Sequence, residues 1–417
     1  MRGANERATL GYREMTASVT WMLPDKFGGV NNLIANLLAH RRPDELSYHA
    51  VLARNLADPD DPSDGDLQAN VRRVEYSLPP ENFYSVLRRL AAQVVPGRGV
   101  IVANDWLSLA MASAHRTGKS VVYINHGDYA HYYNLAVMHE PTIDLYIAFT
   151  DRIHQRLREL LPRRAKDIVC IPYGVSIPAP RPRTSDSAMR LLYVGRLDRS
   201  KGVLDLPPID RLLRASGMET RWTILGPGPA EHELKSLWGD APHVTWKGGV
   251  SVDRVEQEYF EHDVLVMPSR AEGLPVALLE GMASGCVPVV SDLPSGIPEI
   301  VENGVSGFRV APGDISGFAD AIMSIGADRD RLFAMGQEAA ARIRSKYNIA
   351  ERGPEYQQAI AAKAECEPRW SDRRVFTGSR LDRPWLPNLI VKGARSLRRG
   401  LGLMHRGASS PSSGGLD

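Results

Sequence analysis

Cysteine is scarce in this sequence. Cys170, Cys286 and Cys366 stand singly with no CxxC pair, so neither a disulfide framework nor a zinc site is indicated, and a reducing compartment fits. Excess charge of either sign is also missing. A formal net charge of +2 excludes the polycationic surface that marks nucleic-acid-binding proteins. The opening residues, MRGANERATLGYREM, contain no continuous apolar stretch of the leader type. Nowhere does the chain reach the roughly 20 apolar residues of a membrane span. These absences predict a cytoplasmic chain whose partners have to be read from local sites.

At 417 residues with 43% hydrophobic and 24% charged side chains, the chain exceeds one ordinary core and predicts two soluble α/β domains. TASVTWML (residues 16–23) reads as a strand, PDKFGGVNN as a glycine loop and NLIANLLAH as a helix. SYHAVLA, GVIVAND, SVVYINH, DLYIAFT and DIVCIPYG repeat the alternation, which implies a parallel sheet covered on both faces. A polar, proline-rich stretch, SIPAPRPRTSDSA, then reads as an inter-domain linker. A second cycle follows in MRLLYVGRL, TRWTILGPGP, HVTWKGGV, DVLVMPS, CVPVVSD and SGFRVAPG. The predicted architecture is therefore two consecutive Rossmann-like domains, over residues 16–180 and 187–347, with ligand loops at the carboxyl ends of their strands. Two such domains face each other across a cleft, the default ligand site.

The strongest chemical signal is AEGLPVALLEGMASGCVPVV. Glu272 lies in the loop before a predicted helix and Glu280 about two turns further along, so both carboxylates reach one elongated ligand. Pro275 suits the first helical turn, and the next amides, Val276 and Ala277, point outward to hold an anion. A second signal, YVGRLDRSKG, puts Gly195, Arg196 and Lys201 on a turn just after a strand.

These two segments resemble the E-x7-E and G-R-x4-K-G signatures of retaining GT-B glycosyltransferases, in particular the large family 4 group. The resemblance implies that Glu272 contacts donor-sugar hydroxyls, Glu280 holds the nucleotide ribose, and Arg196 with Lys201 clamps the leaving diphosphate. The sequence departs from the commoner E-G-F-G wording at Leu274 and Pro275, the latter removing one backbone donor. By the same resemblance, Gly28 and Gly29 form a turn facing the donor diphosphate, and His126 in YINHGD positions or polarises the sugar. Without it, the two glycines would be read as a tight turn and His126 as a core histidine. The family likeness further implies a leaving-phosphate oxygen that deprotonates the acceptor, no protein nucleophile, no cofactor and no metal. It also implies a closing helix over residues 349–365 that crosses back onto the first domain.

The acidic run DPDDPSDGD (residues 58–66) contains D-x-D patterns but lacks the glutamate of a calcium loop and reads as a solvated surface loop. Residues 366–417 read as a basic tail ending in the low-complexity run GASSPSSGGLD, expected to be disordered. Within it, LPNLIVKGARSLRRGLGLMHR places Leu386, Leu389, Ile390, Leu397 and Leu401 near one helical face, the pattern of a membrane-surface helix. Its three glycines favour a flexible tail instead. The expected partners are a nucleotide-sugar donor and a saccharide or lipid-linked acceptor, with no nucleic acid. The tail would allow peripheral contact at the inner face of the membrane. Competing readings are a GT-B-fold sugar-nucleotide epimerase, which would isomerise its sugar without an acceptor, and a non-catalytic sugar-nucleotide-binding scaffold, which has no need of a diphosphate clamp.

Overall fold

The computed structural model describes residues 17–26, 29–58, 67–180, 188–250, 252–370 and 379–400. The first domain runs β1 (Ser18–Pro24), α1 (Gly29–Ala39), β2 (Ser47–Asn55), β3 (Asn70–Tyr76), α2 (Phe83–Ala91), β4 (Gly99–Ala103), α3 (Trp106–Ala114), β5 (Ser120–Asn125), α4 (Ala130–Met138), β6 (Leu145–Ala148), α5 (Asp151–Leu160) and β7 (Ile168–Cys170). The second runs β8 (Met189–Val194), α6 (Leu206–Ala215), β9 (Thr220–Leu225), α7 (Glu231–Trp238), β10 (Val244–Gly248), α8 (Val252–Glu261), β11 (Val264–Met267), α9 (Val276–Ala283), β12 (Val287–Ser291), α10 (Ile297–Ile300), β13 (Phe308–Val310), α11 (Ile315–Gly326) and α12 (Arg329–Lys346). Two further helices, α13 (Ile349–Ala361) and α14 (Asn388–Gly400), follow.

Every strand pairing is parallel. The sheet orders are β3-β2-β1-β4-β5-β6-β7 and β10-β9-β8-β11-β12-β13. The central strands are buried along their length, as helices on both faces require. In each sheet the first strand lies between two non-consecutive neighbours, β2 and β4 around β1, β9 and β11 around β8. The order reverses there, and a crevice opens at the strands' carboxyl ends. Strand β3 is absent from the sequence reading because it is an edge strand with a mostly exposed, charged face, and such a strand carries little apolar alternation.

The two domains share one apolar core, in which Phe149 and Tyr173 of the first meet Leu274 and Ile297 of the second and Tyr347, Ile349 and Tyr356 of the closing helices. The two chain crossings run side by side: the Val175 amide donates to the Tyr347 carbonyl (2.8 Å) and the Ile349 amide to the Val175 carbonyl (3.0 Å). Beyond this crossing α13 lies on the first domain. The Tyr356 hydroxyl donates to the Ile171 carbonyl (2.9 Å) and Gln357 exchanges hydrogen bonds with the Arg42 backbone (2.7 and 2.8 Å).

Three expectations change. Gly29 is the first residue of α1 rather than part of a loop, while Phe27 and Gly28 lie outside the described residues. Pro275 is the N-cap of α9 and not its first helical residue. Residues 379–400 are not the flexible tail their glycines suggested: α14 is docked on α2 by buried Asp382 and Arg395, whose partners are remote in sequence. Residues 59–66, 181–187, 371–378 and 401–417, which hold most of the acidic run, most of the linker's second half and the low-complexity end, are outside the described residues.

Gly202 illustrates how tightly the second domain's loops are built. It has a φ of +65°, and a β-carbon there would fall 1.8 Å from the Pro268 carbonyl oxygen. Gly217, with a φ of +87°, has open space around it. Gly202→Ala is therefore expected to lower stability by about 2 kcal/mol or more, against about 1 kcal/mol for Gly217→Ala, where only the left-handed conformation is penalised. Thermal melts of the two variants check this, and equal losses would contradict it.

Candidate active site

The second domain builds its half of the site on the loops after β8 and β11, which are neighbours in the sheet. After β8 the chain turns at Gly195 (φ +153°), braced from below by the Tyr193 hydroxyl, which donates to the Arg196 carbonyl (2.9 Å). Arg196 is exposed on the turn. The next turn is capped by Asp198, whose carboxylate accepts the Ser200 amide (2.8 Å) and hydroxyl (2.7 Å). Those two bonds, with Arg196 and Lys201 adding to them, hold the Asp198 carboxyl below its ordinary range. Lys201 ends this turn, and its Nζ lies 2.9 Å from Glu272 Oε1. The Ser269 hydroxyl donates to the same oxygen (2.8 Å). Two motifs remote in sequence thus meet as an ion pair whose carboxylate is 9% and whose ammonium stem is 32% exposed.

From this pair the chain enters α9, which begins at Val276 without a side-chain cap. Leu278 and Leu279 turn their amides back to the Pro275 carbonyl (3.0 and 3.4 Å). The Val276 and Ala277 amides precede any intrahelical acceptor and carry the positive end of the helix dipole. Facing them is the start of α1: a β-carbon at Gly29 would lie 3.5 Å from Val276 Cγ2. The starts of two helices from different domains therefore lie against each other, and a helix N-terminus suits an anion. Glu280 is the fifth residue of α9, about one turn in rather than two, because the helix starts after Pro275. Its Oε2 accepts the Tyr259 hydroxyl (3.3 Å). Burial raises its carboxyl to about 7 despite that bond.

Across the cleft, the His126 ring has both nitrogens engaged: Nδ1 with the Tyr173 hydroxyl (2.6 Å) and Nε2 with Asn104 Oδ1 (2.8 Å). Asn104 commits its amide nitrogen to the Met22 (3.0 Å) and Val102 (3.2 Å) carbonyls, so its oxygen accepts and His126 Nε2 carries the proton. Burial lowers the His126 pKa to about 3 and keeps the ring neutral. The structure thus turns the His126 backbone, not its imidazole, toward the second domain. A β-carbon at Gly273 would lie 3.4 Å from both the His126 carbonyl oxygen and Gly127 Cα.

Several residues here carry no signal in the sequence. The Tyr129 ring lies against Gly273, and burial together with the Glu272 charge pushes its phenol up to about 12. Ser269 and Tyr259 orient the two glutamates, yet serine and tyrosine are too common in loops and helices to stand out. Glu299 of α10 accepts the Asp151 and Arg152 amides (both 3.1 Å), fastening the second domain to the N-terminus of α5. A separate cavity of about 340 Å³, lined in part by Ser284, Arg329, Phe333 and Arg344, opens at the opposite end of α9 and shares none of these site residues.

The raised Glu280 carboxyl has a stability consequence. Because its folded pKa exceeds the ordinary 4.5, the folded chain holds the proton more tightly, and stability falls as pH rises from about 4.5 through 7. Glu280→Gln is expected to match the parent near pH 4.5 and to exceed it above pH 7, by roughly 2 to 3 kcal/mol. Urea melts at the two pH values check this, and a variant less stable at pH 8 would contradict it.

Residues 188–328 match the family model described as Glycosyl transferases group 1. The chain is 31% identical over 169 residues to the amylovoran biosynthesis glycosyltransferase AmsK of Erwinia amylovora, covering 38% of this chain and 41% of that one. It is 35% identical over 160 residues to the GDP-mannose-dependent alpha-(1-6)-phosphatidylinositol monomannoside mannosyltransferase of Mycobacterium tuberculosis (strain ATCC 25618 / H37Rv), covering 35% and 40%. The chain spans about half or less of the length of the curated relatives it matches. Among solved structures it superposes on Anabaena HepE in complex with UDP and glucose with a TM-score of 0.66 at 17% identity, covering 83% of this chain and 100% of that one. The two domains thus have the GT-B fold, and residues 188–328 of the second are similar to the glycosyl transferases group 1 model.

Proposed function

We propose that the protein is a retaining glycosyltransferase that moves a sugar from a nucleoside diphosphate sugar to an acceptor hydroxyl, in the assembly of a cell-surface polysaccharide or glycolipid. The observation that carries this reading is the 2.9 Å pairing of Lys201 with Glu272 beside the facing N-termini of α1 and α9. That arrangement offers cations and amides to a diphosphate and a carboxylate to sugar hydroxyls. The names of its relatives agree with it, since AmsK acts in amylovoran biosynthesis and the mycobacterial enzyme on a phosphatidylinositol mannoside. HepE was crystallised with UDP and glucose.

In this reading the bond between the anomeric carbon and the β-phosphate oxygen breaks while the acceptor oxygen bonds to the same face of that carbon. The acceptor proton passes to the leaving phosphate, so no protein nucleophile takes part. Negative charge grows on the diphosphate as the bond lengthens. Lys201, Arg196 and the Val276 and Ala277 amides stabilise that charge more in the transition state than in the ground state. Glu272 accepts hydrogen bonds from the sugar once its ion pair with Lys201 opens to admit the phosphate. Glu280 accepts the ribose hydroxyls as a carboxylate. The first domain contributes Gly28, Gly29 and the His126 backbone, and domain closure brings the halves together. Lys201 and Arg196 supply the positive charge, so the reaction needs neither metal nor cofactor, and the enzyme works in the cytoplasm on a saccharide or lipid-linked acceptor.

Screening UDP-, GDP- and ADP-sugars by thermal stabilisation identifies the donor. With that donor, Lys201→Ala is expected to lower turnover roughly 10²-fold to 10³-fold in a protein that still folds, at a temperature below its own melting midpoint. Unchanged turnover would remove the clamp from the mechanism, and isomerised sugar without an acceptor would favour an epimerase. The donor dissociation constant should rise as pH falls below about 7, because Glu280 must lose its proton to hold the ribose. A flat profile between pH 5.5 and 8, as an order-of-magnitude window around that titration, would contradict the ribose role.

A further inference from the structure

Helix α14 wears its amphipathic pattern inside out. Val391 and Arg395 face the first domain and are buried, while Leu389, Ile390 and Leu397 are 84%, 56% and 67% exposed. Trp385, just before the helix, is 76% exposed. At 100° per residue the three aliphatic chains lie within one third of the helix circumference, opposite Val391 and Arg395.

A polar clamp enforces this orientation. The Arg395 guanidinium donates to the Glu81 carbonyl, to Ser379 Oγ (2.8 Å) and to Asp382 Oδ2 (2.6 Å). Asp382 Oδ1 accepts the Phe83 amide at the start of α2 (2.7 Å). Asn388 donates to Glu81 Oε2 (3.0 Å) and accepts the Asn82 amide (2.8 Å). The side chains that would ordinarily turn an apolar face inward are thus replaced by a satisfied hydrogen-bond network, which leaves that face outward.

Charge says what covers it. Residues 379–400 contain six lysines and arginines and one acid, Asp382, and that acid is buried against Arg395. Arg380 and Lys392 are exposed, and at 100° per residue Lys392 borders the apolar face beside Leu389. A second copy of the chain would bring a like-charged rim against this one, whereas a bilayer with anionic headgroups complements it. Trp385 at the edge of the patch has the amphipathic ring that suits a headgroup boundary.

We propose that the outward face of α14, with Trp385, docks the protein on a membrane surface containing anionic lipid. The aliphatic side chains enter the acyl boundary and Arg380 and Lys392 meet the headgroup phosphates. The location gives this a use. Helix α2 starts at the carboxyl end of β3, the edge of the sheet on which the cleft loops lie, and Phe83 stacks on Trp106 (centroids 5.5 Å apart) immediately beyond the end of β4. A docked molecule holds the first domain's side of the cleft close to the lipid, where a lipid-linked acceptor resides. Binding is a property of this surface and is measured without any transfer reaction, so its failure is distinguishable from failure of the proposed activity.

The test is co-sedimentation of the full chain with vesicles of phosphatidylglycerol and phosphatidylcholine, and with phosphatidylcholine alone. Binding to the anionic vesicles is expected, weaker at high salt, and at least about tenfold weaker for the combined variant Leu389→Ser, Ile390→Ser, Leu397→Ser. All three positions are exposed, so that variant should melt with the parent. Arg380→Glu with Lys392→Glu should likewise lose binding to anionic vesicles. No sedimentation with anionic vesicles, equal sedimentation of the apolar variant, or equal affinity for pure phosphatidylcholine would overturn the proposal. So would self-association without vesicles that the apolar variant abolishes, since it would assign the face to a second copy.

Discussion

The Lys201–Glu272 ion pair is the interaction on which the site depends. Its two members reach each other because β8 and β11 are neighbours in the sheet, and because Gly202 lets the first loop press against Pro268 at the end of β11. A lysine held in this half-buried position without a counter-charge would be costly. Paired with Glu272, which Ser269 also holds, it is kept in place. In the proposed function a diphosphate sugar would satisfy both members at once, phosphate on the ammonium and hydroxyls on the carboxylate. In the proposed reaction the pair acts as an internal stand-in for the ligand and opens when the ligand takes its place.

The second constraint is the meeting of the domains. Glycines at 127 and 273 bring the two backbones together, and the start of α1 at Gly29 lies beside Val276 at the start of α9. Glu299 ties α10 to the start of α5, and the parallel crossing at Val175 and Tyr347 fixes where the chain passes between domains. Apolar packing through Phe149, Tyr173, Leu274 and Ile297 continues across the boundary. Motion that opens the cleft has to pivot about these contacts.

Much of this was legible in the sequence because it is periodic or local. Buried parallel strands are short apolar runs, and both the linker and the loops after β8 and β11 are marked by glycine, proline and charge. What was not legible depends on partners distant in the chain. Gly29 reads as loop because glycine is a poor helix former, yet as the first residue of α1 it forfeits little. His126 reads, by the family resemblance, as a group that positions or polarises the sugar until Asn104 and Tyr173 are seen to take both ring nitrogens. The tail reads as flexible because its three glycines are visible, whereas the Glu81 and Asn82 groups that clamp it lie about 300 residues earlier. Strand β3 hides because an edge strand needs no apolar face on its open side.

The site joins two motifs of the second domain to the loops of the first that carry Gly29 and His126, around the place proposed for the phosphates. The most direct measurement is a crystal structure of the protein with the nucleoside diphosphate sugar that stabilises it most. The β-phosphate is expected within about 3 Å of Lys201 Nζ and of the Val276 or Ala277 amide, with the sugar hydroxyls on Glu272. A ligand bound in the cavity lined by Arg329 and Arg344, with the Lys201–Glu272 pair intact, would contradict it.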